Sequence, residues 1–584
     1  MSNMYRVPEE LNVGRSDPVY MAHSYLTKVP VTAILPFLKA YSVPGDVILD
    51  PFAGSGMTGV AAAMTGRSAH LFDVSVLGQH VGNGYTTHVD PERLQTAALE
   101  VINKVRARVG DIYGVKIADG SATGQLAKTV WSMLFACSSC LLPVNYYRAL
   151  EAADWSKPEM RCPNCTTPIS SKNTRVGEEP VVDFVTFAHL KTQVEQPHQN
   201  PVQSTPDLET VAYPHVQIPE DREMFQASAL AKNGMTTIGA FYSPRNLYVL
   251  TSLWEEIRAL NDPALTAKLL FAFTACLARA SKRYQWSRAR PLNAANANYY
   301  VAPVFYEWNV FELFERKVNA ATRSDAYIQE ERRRHVSIHG SDTTRVSYEV
   351  GSADDIRLPD GSVDYIFTDP PFGSNLFYAD MAIFQEAWLP SFTDVTKEAV
   401  IDRSRRGTRT ATRYEHLLTR SFQECRRVLK PEGRISVVFG NSSGKIWAMV
   451  QRAIADANLQ VIPEDLVVLN KGQRSVKGLA SGFEHVATLD LIITMTPQLD
   501  GANSLPPTPP DEAYLEQLVT KLISDSVGRT PSHLYLELLR ACFKNNWSVE
   551  RLDLKIVVQR LLDGGYELDS KSGVITEPAS ESAA

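Results

Sequence analysis

The sequence predicts an α/β protein whose mostly parallel sheet is interrupted by a long insertion. Two segments, residues 18–110 and 345–497, alternate short apolar runs with helical patterns, which is typical of strands joined by crossover helices. In each segment a loop rich in glycine or proline directly follows an apolar run. Between the segments lie two Cys-x-x-Cys pairs within residues 130–170, which indicate a small metal-bound ribbon.

This pattern divides the chain into four regions. Residues 18–110 form the first half of the α/β core, residues 111–344 the insertion, and residues 345–497 the second half. A proline-rich linker then leads to a small helical C-terminal domain at residues 511–577. A length of 584 residues is ample for several domains of about 100–200 residues each.

Composition limits the classes of function. Hydrophobic residues make up 44% and charged residues 21% of the chain, which are globular values. A net charge of −6 argues against a uniformly basic nucleic-acid coat, so any DNA contact must come from local patches. We find no run of about 18 apolar residues and no apolar signal core near the N-terminus, so we expect a cytoplasmic protein without a membrane span.

The first candidate site is the loop that follows the apolar run at residues 47–49. Asp50, Phe52, Gly54 and Gly56 lie in this loop, and the two glycines allow the backbone to approach a ligand closely. Asp73 ends the next predicted strand, where an acid is placed to bind ribose hydroxyls. The loop therefore predicts a nucleotide-like cofactor. NAD is one alternative, but phenylalanine occupies the first glycine position of the dinucleotide pattern.

The four cysteines of the insertion predict a structural zinc site. They are Cys137, Cys140, Cys162 and Cys165, and their spacing suits a tetrahedral thiolate site. Four thiolates leave no open position for a substrate water, so we expect Zn²⁺ to stabilise a ribbon with little core of its own. Reduced, unliganded thiols or a disulfide are the alternatives, although cytosolic reduction disfavours a disulfide.

Two basic stretches are candidates for contact with DNA. In the insertion, Arg283, Trp286 and Arg288 combine cations with an aromatic ring and have no acid among them. Arg405 and Arg406 form part of the second stretch, later in the chain. The alternative for either stretch is a solvated protein surface.

The most informative stretch is Asp369-Pro370-Pro371-Phe372, directly after the apolar run at residues 363–367. Asp369 and the neighbouring carbonyl can accept the two N–H groups of an exocyclic amine. The prolines have fixed φ angles and hold these acceptors rigidly. Phe372 can stack on a base that has been taken out of the helix. A plain strand-to-loop turn is the alternative. Together with the glycine loop, this stretch favours S-adenosylmethionine over NAD.

These motifs resemble those of the S-adenosylmethionine-dependent DNA amino-methyltransferases, which methylate adenine N6 or cytosine N4. Residues 23–41, 44–46, 351–355, 358–364 and 429–439 also resemble segments of that family, and the resemblance covers residues 20–75 and 345–497. It implies a Rossmann-like seven-stranded methyltransferase sheet, with Asp354 near the adenine of the cofactor. A looser similarity is to large prokaryotic DNA methylases with an internal zinc ribbon.

The resemblance implies that double-stranded DNA is the substrate. We predict methylation of adenine N6, because aspartate at the first motif position leans toward adenine. DNA cytosine N4 and RNA guanine N2 remain alternatives with the same chemistry. A different alternative is a non-catalytic DNA-binding subunit of a defence system, so a restriction or defence-system partner is left open.

Overall fold

The computed structural model describes residues 6–116, 123–187, 192–198, 214–228, 230–231, 234–288, 292–293, 299–340, 344–373, 376–403, 407–472, 487–498, 506–569 and 572–577. The helices are α1 (Pro18–Ala22), α2 (Val31–Tyr41), α3 (Met57–Met64), α4 (Val76–Thr86), α5 (Pro91–Val109), α6 (Tyr146–Ala152), α7 (Glu223–Ala227), α8 (Pro244–Arg258), α9 (Pro263–Ala280), α10 (Val310–His339), α11 (Tyr378–Glu386), α12 (Ala411–Val428), α13 (Gly444–Asp456), α14 (Glu512–Asp525), α15 (Pro531–Lys544) and α16 (Leu554–Asp563).

The strands are β1 (Glu10–Asn12), β2 (Val47–Asp50), β3 (Ser68–Asp73), β4 (Gly114–Lys116), β5 (Thr123–Ala136), β6 (Pro143–Asn145), β7 (Arg175–Thr186), β8 (Val194–Pro197), β9 (Tyr284–Gln285), β10 (Leu292–Asn293), β11 (Val304–Trp308), β12 (Val346–Val350), β13 (Val363–Thr368), β14 (Leu429–Phe439), β15 (Leu459–Asn470), β16 (Asp490–Pro497), β17 (Glu567–Leu568) and β18 (Ile575–Thr576).

The larger sheet joins strands from both halves of the predicted core. Its order is β1-β15-β16-β14-β13-β2-β3-β12. All neighbours pair in parallel except β16, which is antiparallel to both β14 and β15. The sheet therefore has eight strands rather than the predicted seven, because the N-terminal β1 adds to the edge beside β15. In the parallel part, the strand order reverses between β2 and β13, where ligands bind in open α/β sheets.

Apolar residues of the central strands face two helical layers. Ile48 packs with α2 and α3 on one side of the sheet, and Leu49 packs with α12 and α13 on the other. Strand β2 reads as a continuous apolar run, Val47 to Leu49, because both of its faces are covered. The fold is thus a mixed α/β structure.

The insertion contains a second, antiparallel sheet between β3 and β12 in the sequence. Its order is β10-β9-β11-β5-β7-β8, with β4 and β6 also pairing with β5. Helices α8 and α9 also lie in the insertion, and both contribute to its apolar core. Helix α9 is long and apolar enough to cross a membrane, but 67% of it is buried within the protein. It therefore has the character of a core helix.

The C-terminal helices pack directly on the larger sheet. Leu534 and Leu538 of α15 belong to the same apolar cluster as Ile435 and Ile493 of the sheet. Arg540 also pairs with Glu9, just before β1, at 2.8 Å. These helices consequently belong to the same apolar cluster as the sheet.

Candidate active site

The glycine loop between β2 and α3 is held in place by a buried carboxylate. Asp50, which ends β2, accepts hydrogen bonds from the Thr58 hydroxyl at 2.6 Å and from the Phe52 main-chain N–H at 3.2 Å. Gly54 and Gly56 have φ angles of 48° and 78°. A Cβ on Gly56 would lie 2.9 Å from the Cα of Gly82, so this position has room for glycine only.

Asp73 closes the loop from the neighbouring strand. Its carboxylate accepts hydrogen bonds from the main-chain N–H groups of Gly54 at 2.8 Å and Ser75 at 2.9 Å. Burial raises the pKa of Asp73, and these N–H groups oppose that rise. Asp73 therefore positions the loop, and a further contact with a ribose would use its remaining lone pairs.

The Asp-Pro-Pro-Phe segment begins directly after β13. Asp369 as a whole is half-buried, but its Oδ1 is shielded from solvent and has no hydrogen-bond partner among the described residues. Burial raises the pKa of Asp369 to about 7. The ammonium of Lys471 opposes this rise, whereas the carboxylates of Asp490 and Asp50 add to it. Lys471 itself pairs with Asp490 at 2.6 Å.

The two loops line one cleft. Asp369 and Pro371 lie on the same cleft of about 970 Å³ as Gly54 and Asp73. A direct hydrogen bond also links the motifs: the Thr368 hydroxyl, one residue before Asp369, donates to Asp50 at 2.7 Å. Segments some 300 residues apart in the chain thus meet where the strand order reverses, at the carboxyl ends of β2 and β13.

Comparison with known proteins gives two matches to parts of the chain. Residues 5–80 match the N6_N4_Mtase family model, described as DNA methylase. A stretch of 41 residues is 49% identical to "Putative methylase YubD" of Escherichia coli (strain K12). Residues 5–80 are therefore similar to DNA methylases. The stretch covers 7% of this chain and 18% of the relative, so the activity of the whole protein is a matter for proposal.

The remaining predicted site residues lie in different environments. Phe52 lines the cleft, whereas Asp354 lies beside it: Gly351, Ser352 and Ala353 line the cleft and Asp354 does not. Pro370 is buried. Phe372 is half-buried, and its ring packs on Phe439 with ring centroids 4.9 Å apart.

The cleft-lining side chains that were not predicted from the sequence include Tyr25, Tyr378 and Glu398. The Tyr25 ring lies 3.2 Å from the position of a Cβ on Gly54, and its hydroxyl donates to Ser75 at 3.2 Å. Glu398 accepts a hydrogen bond from the Ala379 N–H at 3.0 Å. Both tyrosines lie in segments that resemble the methylases, but no local pattern distinguishes them from core aromatics.

The structure corrects one of the predicted DNA contacts. Arg283 is only 1% exposed, and its guanidinium lies 3.5 Å from the ring centroid of Phe384. A phosphate cannot reach it, so we withdraw the prediction for this side chain. Trp286 is half-buried and Arg288 is exposed. Arg405 and Arg406 lie outside the described residues.

The four predicted zinc ligands converge in the insertion. The Sγ atoms of Cys137, Cys140, Cys162 and Cys165 all lie within 4.8 Å of one another. The nearest pairs are Cys137 with Cys165 at 3.4 Å and Cys140 with Cys162 at 3.6 Å, too long for a disulfide. A tetrahedral ion with Zn–S bonds of about 2.3 Å would separate its ligands by about 3.8 Å.

The two cysteine pairs have matching backbone turns. The N–H of Leu141 donates to the Cys137 carbonyl at 3.0 Å, and the N–H of Thr166 donates to the Cys162 carbonyl at 2.9 Å. Both Leu141 and Thr166 have φ angles near 60°. Each turn therefore presents its two thiols on one side, and the cluster can hold a metal ion.

Proposed function

We propose that this protein transfers a methyl group from S-adenosylmethionine to the exocyclic amine of a base flipped out of double-stranded DNA, with adenine N6 as the target. The observation that carries the proposal is the cleft shared by Asp369 and the Gly54–Gly56 loop. The parallel order β12-β3-β2-β13-β14 supports the methyltransferase sheet predicted from the sequence, to which β1 is an addition.

The cleft suits a nucleoside cofactor. The φ angles of Gly54 and Gly56 bring bare backbone to its wall, where a ligand can approach the chain closely. In the proposal, Asp50, Phe52 and the two glycines hold the methionine part. Asp73 binds the ribose, and Asp354 lies near the adenine. When bound, S-adenosylmethionine supplies an electrophilic methyl group.

The acceptor side of the cleft suits an amine. The lone pair of an exocyclic amine is delocalised into the base, which makes the nitrogen a poor nucleophile. Asp369 Oδ1 and the Pro370 carbonyl would accept its two N–H groups and so localise the lone pair on nitrogen. As the nitrogen gains the methyl carbon, its surplus proton passes to Asp369 or to water. Phe372, fixed against Phe439, would stack on the ring of the base.

A nucleotide-resolved map of methyl marks tests the proposal. DNA would be taken from cells that express the wild-type protein or Asp369→Ala. We expect N6-methyladenine at a defined sequence with the wild type and none with the variant. Marks on cytosine N4 would establish the alternative base. The absence of marks in DNA, with wild-type protein shown to be folded, would contradict the proposal and favour the RNA or non-catalytic alternatives.

The rate of methyl transfer should rise with pH through about 7. Asp369 accepts an N–H only as a carboxylate, and burial raises its pKa to about 7. Below this pKa the rate should fall about tenfold per pH unit, because the carboxyl is then protonated. Single-turnover rates between pH 5.5 and 8.5 would show this. A flat profile would contradict a role for the Asp369 carboxylate.

A cluster of aromatic rings beside the exposed Arg288 supports contact with DNA. The rings of Trp155 and Trp286 lie 5.4 Å apart, and that of Tyr147 lies 5.3 Å from Trp286. The Arg288 guanidinium lies 5.3 Å from the Trp155 ring. Among the described residues, no carboxylate lies within 4.0 Å of Arg288. An unneutralised cation beside partly exposed aromatic rings suits the DNA backbone.

Replacing Arg288 with Ala should weaken DNA binding uniformly across sequences. A plot of log K for DNA binding against log salt concentration has a slope that reflects the number of phosphate contacts. The loss of one contact should make this slope shallower by about one unit. Fluorescence anisotropy at several salt concentrations would measure it. Arg333→Ala is the matched control, because Arg333 is 73% exposed and paired with Glu330. An equal change in both variants would contradict a specific contact.

We further propose that the cysteine cluster holds a structural Zn²⁺. Four thiolates of suitable spacing complete the coordination of the ion and leave no position for a substrate. Its role would be to stabilise the insertion, which the proposal assigns to DNA binding. A restriction or defence-system partner remains compatible with this function.

A further inference from the structure

Two side chains from distant parts of the chain hold the carbonyl groups that follow Asp369. The Tyr414 hydroxyl, on α12, donates to the Pro371 carbonyl at 2.7 Å. The Asn441 Nδ2, in the loop between β14 and α13, donates to the Phe372 carbonyl at 2.8 Å. Consecutive carbonyls of one short loop are therefore fixed from two different elements.

The two donors have little freedom of their own. Tyr414 is 1% exposed and lies within the apolar core. Asn441 accepts a hydrogen bond from the Ser443 N–H at its Oδ1, at 2.8 Å. The Asn441 carbonyl accepts another from Trp447 Nε1, also at 2.8 Å. Because Trp447 is fully buried, the core of the protein holds the main chain of Asn441 in place. The Ser443 N–H then orients its side-chain amide.

The acceptors proposed for the amine are not engaged in the same way. Among the described residues, Asp369 Oδ1 has no hydrogen-bond partner, and no main-chain N–H donates to the Pro370 carbonyl. The loop thus has two carbonyls bound to the protein, directly after two acceptors that receive no hydrogen bond from the described residues. A buried acceptor without a partner carries a desolvation cost, which suits a group that awaits a ligand.

We propose that Tyr414 and Asn441 are positioning residues for the amine acceptors Asp369 and Pro370. They hold the Pro371 and Phe372 carbonyls in place. Because the two prolines are rigid, this also fixes the positions of Asp369 and of the Pro370 carbonyl. The expected effect on the rate rests on the proposed function. If the loop shifts by about 1 Å, a reaction that depends on the positions of its groups can slow about 100-fold. Neither side chain would touch the base or the cofactor.

Tyr414→Phe tests the inference by removing one hydroxyl and leaving the ring in place. The matched control is Tyr535→Phe. Tyr535 is also buried, and its hydroxyl donates to the Leu552 carbonyl at 3.0 Å in the C-terminal helices, among residues that do not line the cleft. Both variants lose one hydrogen bond between a tyrosine and a carbonyl, so they should lose similar thermal stability.

A second variant, Asn441→Asp, tests the other donor. It keeps an oxygen to accept from Ser443 and replaces only the Nδ2 that donates to Phe372. Single-turnover transfer of labelled methyl from S-adenosylmethionine to unmethylated plasmid DNA would be measured for all three variants. Titration calorimetry would measure cofactor affinity, and crystal structures would locate the Pro371 carbonyl.

We expect Tyr414→Phe and Asn441→Asp to slow methyl transfer about tenfold or more, with cofactor affinity within about twofold of wild type. Tyr535→Phe should transfer at the wild-type rate. Equal rates in Tyr414→Phe and wild type would overturn the inference, as would equal slowing in Tyr535→Phe. If the wild type methylates no DNA, the proposed function fails. The inference is then decided by the structures: it stands if the loop moves in Tyr414→Phe and in Asn441→Asp but not in Tyr535→Phe, and it falls if the loop stays in place in Tyr414→Phe.

Discussion

Replacing Asp369 with Asn is expected to reduce methyl transfer by about 1,000-fold or more while cofactor binding is retained. Asn has nearly the same shape as Asp, but it presents an N–H₂ group where the amine needs an acceptor. Because Asp369 lines the cleft opposite the Gly54 loop, the cofactor side should be unaffected. The loss should therefore appear in the single-turnover rate and not in cofactor affinity.

The same substitution should make the protein more stable at neutral and alkaline pH. Burial raises the pKa of Asp369 to about 7 in the folded protein, above its value of about 3.9 in an unfolded chain. The folded state thus binds the proton more tightly, and the wild type loses stability as pH rises from about 4 to about 7. Asn has no such proton, so its advantage in melting temperature should be small at pH 4 and largest above pH 7.

Slower methyl transfer together with higher stability in Asp369→Asn would show that this carboxylate serves activity and lowers stability. Asp456→Asn is the matched control, because Asp456 is an exposed carboxylate at the end of α13. It should change neither the rate nor the pH dependence of the melting temperature. If Asp369→Asn retains a wild-type rate, Asp369 does not accept the amine. If the variant is less stable at pH 8, the carboxylate has a structural partner instead.

The parts of the site that could be predicted from sequence are those fixed by local chemistry. Gly54 and Gly56 need positive φ angles at the end of a strand, and Asp369 precedes two prolines at the end of another. Each motif predicts its own turn. That the turns share a cleft follows from the general rule that parallel strands place their carboxyl ends at one edge.

The parts that could not be predicted depend on contacts between distant segments. Tyr414 and Asn441 lie 43 and 69 residues from the carbonyls they bind, and nothing in their neighbourhood of the sequence marks them. The pairing of Lys471 with Asp490 near Asp369 could not be predicted either, because it also joins separate segments of the chain. Strand β1 is only three residues long, too short for a periodic pattern to predict it at the sheet edge.

Arg283 shows the limit of reading charge from sequence. It lies in a run of cations without acids, a pattern typical of a phosphate-binding surface. In the fold, however, Arg283 is buried against the ring of Phe384, whereas Arg288 is exposed. A run of cations in the sequence does not show which side chains are buried. Cation–π packing can stabilise an arginine in the core.

Loss of the metal ligand Cys162 should destabilise the insertion and leave the cofactor half of the protein folded. With a structural site, we expect about one equivalent of zinc per wild-type chain and much less in Cys162→Ser. Cys137 and Cys162 belong to the same apolar cluster as Met160 and Ile169, a cluster separate from those that cover the larger sheet. A ribbon with so small a core depends on the metal for its folding free energy.

The position of this apolar cluster implies that loss of zinc should affect DNA binding but not cofactor binding. Tyr147, Trp155 and Trp286 pack against it, so loss of zinc should change tryptophan fluorescence and weaken DNA binding. The affinity for S-adenosylmethionine should stay within about twofold, because the Gly54 loop is held by Asp50 and Asp73 and not by the insertion. Ser138→Ala is the matched control, since Ser138 is exposed between two ligands. A zinc-free wild type, or equal loss of cofactor and DNA binding in Cys162→Ser, would contradict a metal site that supports the DNA-binding region alone.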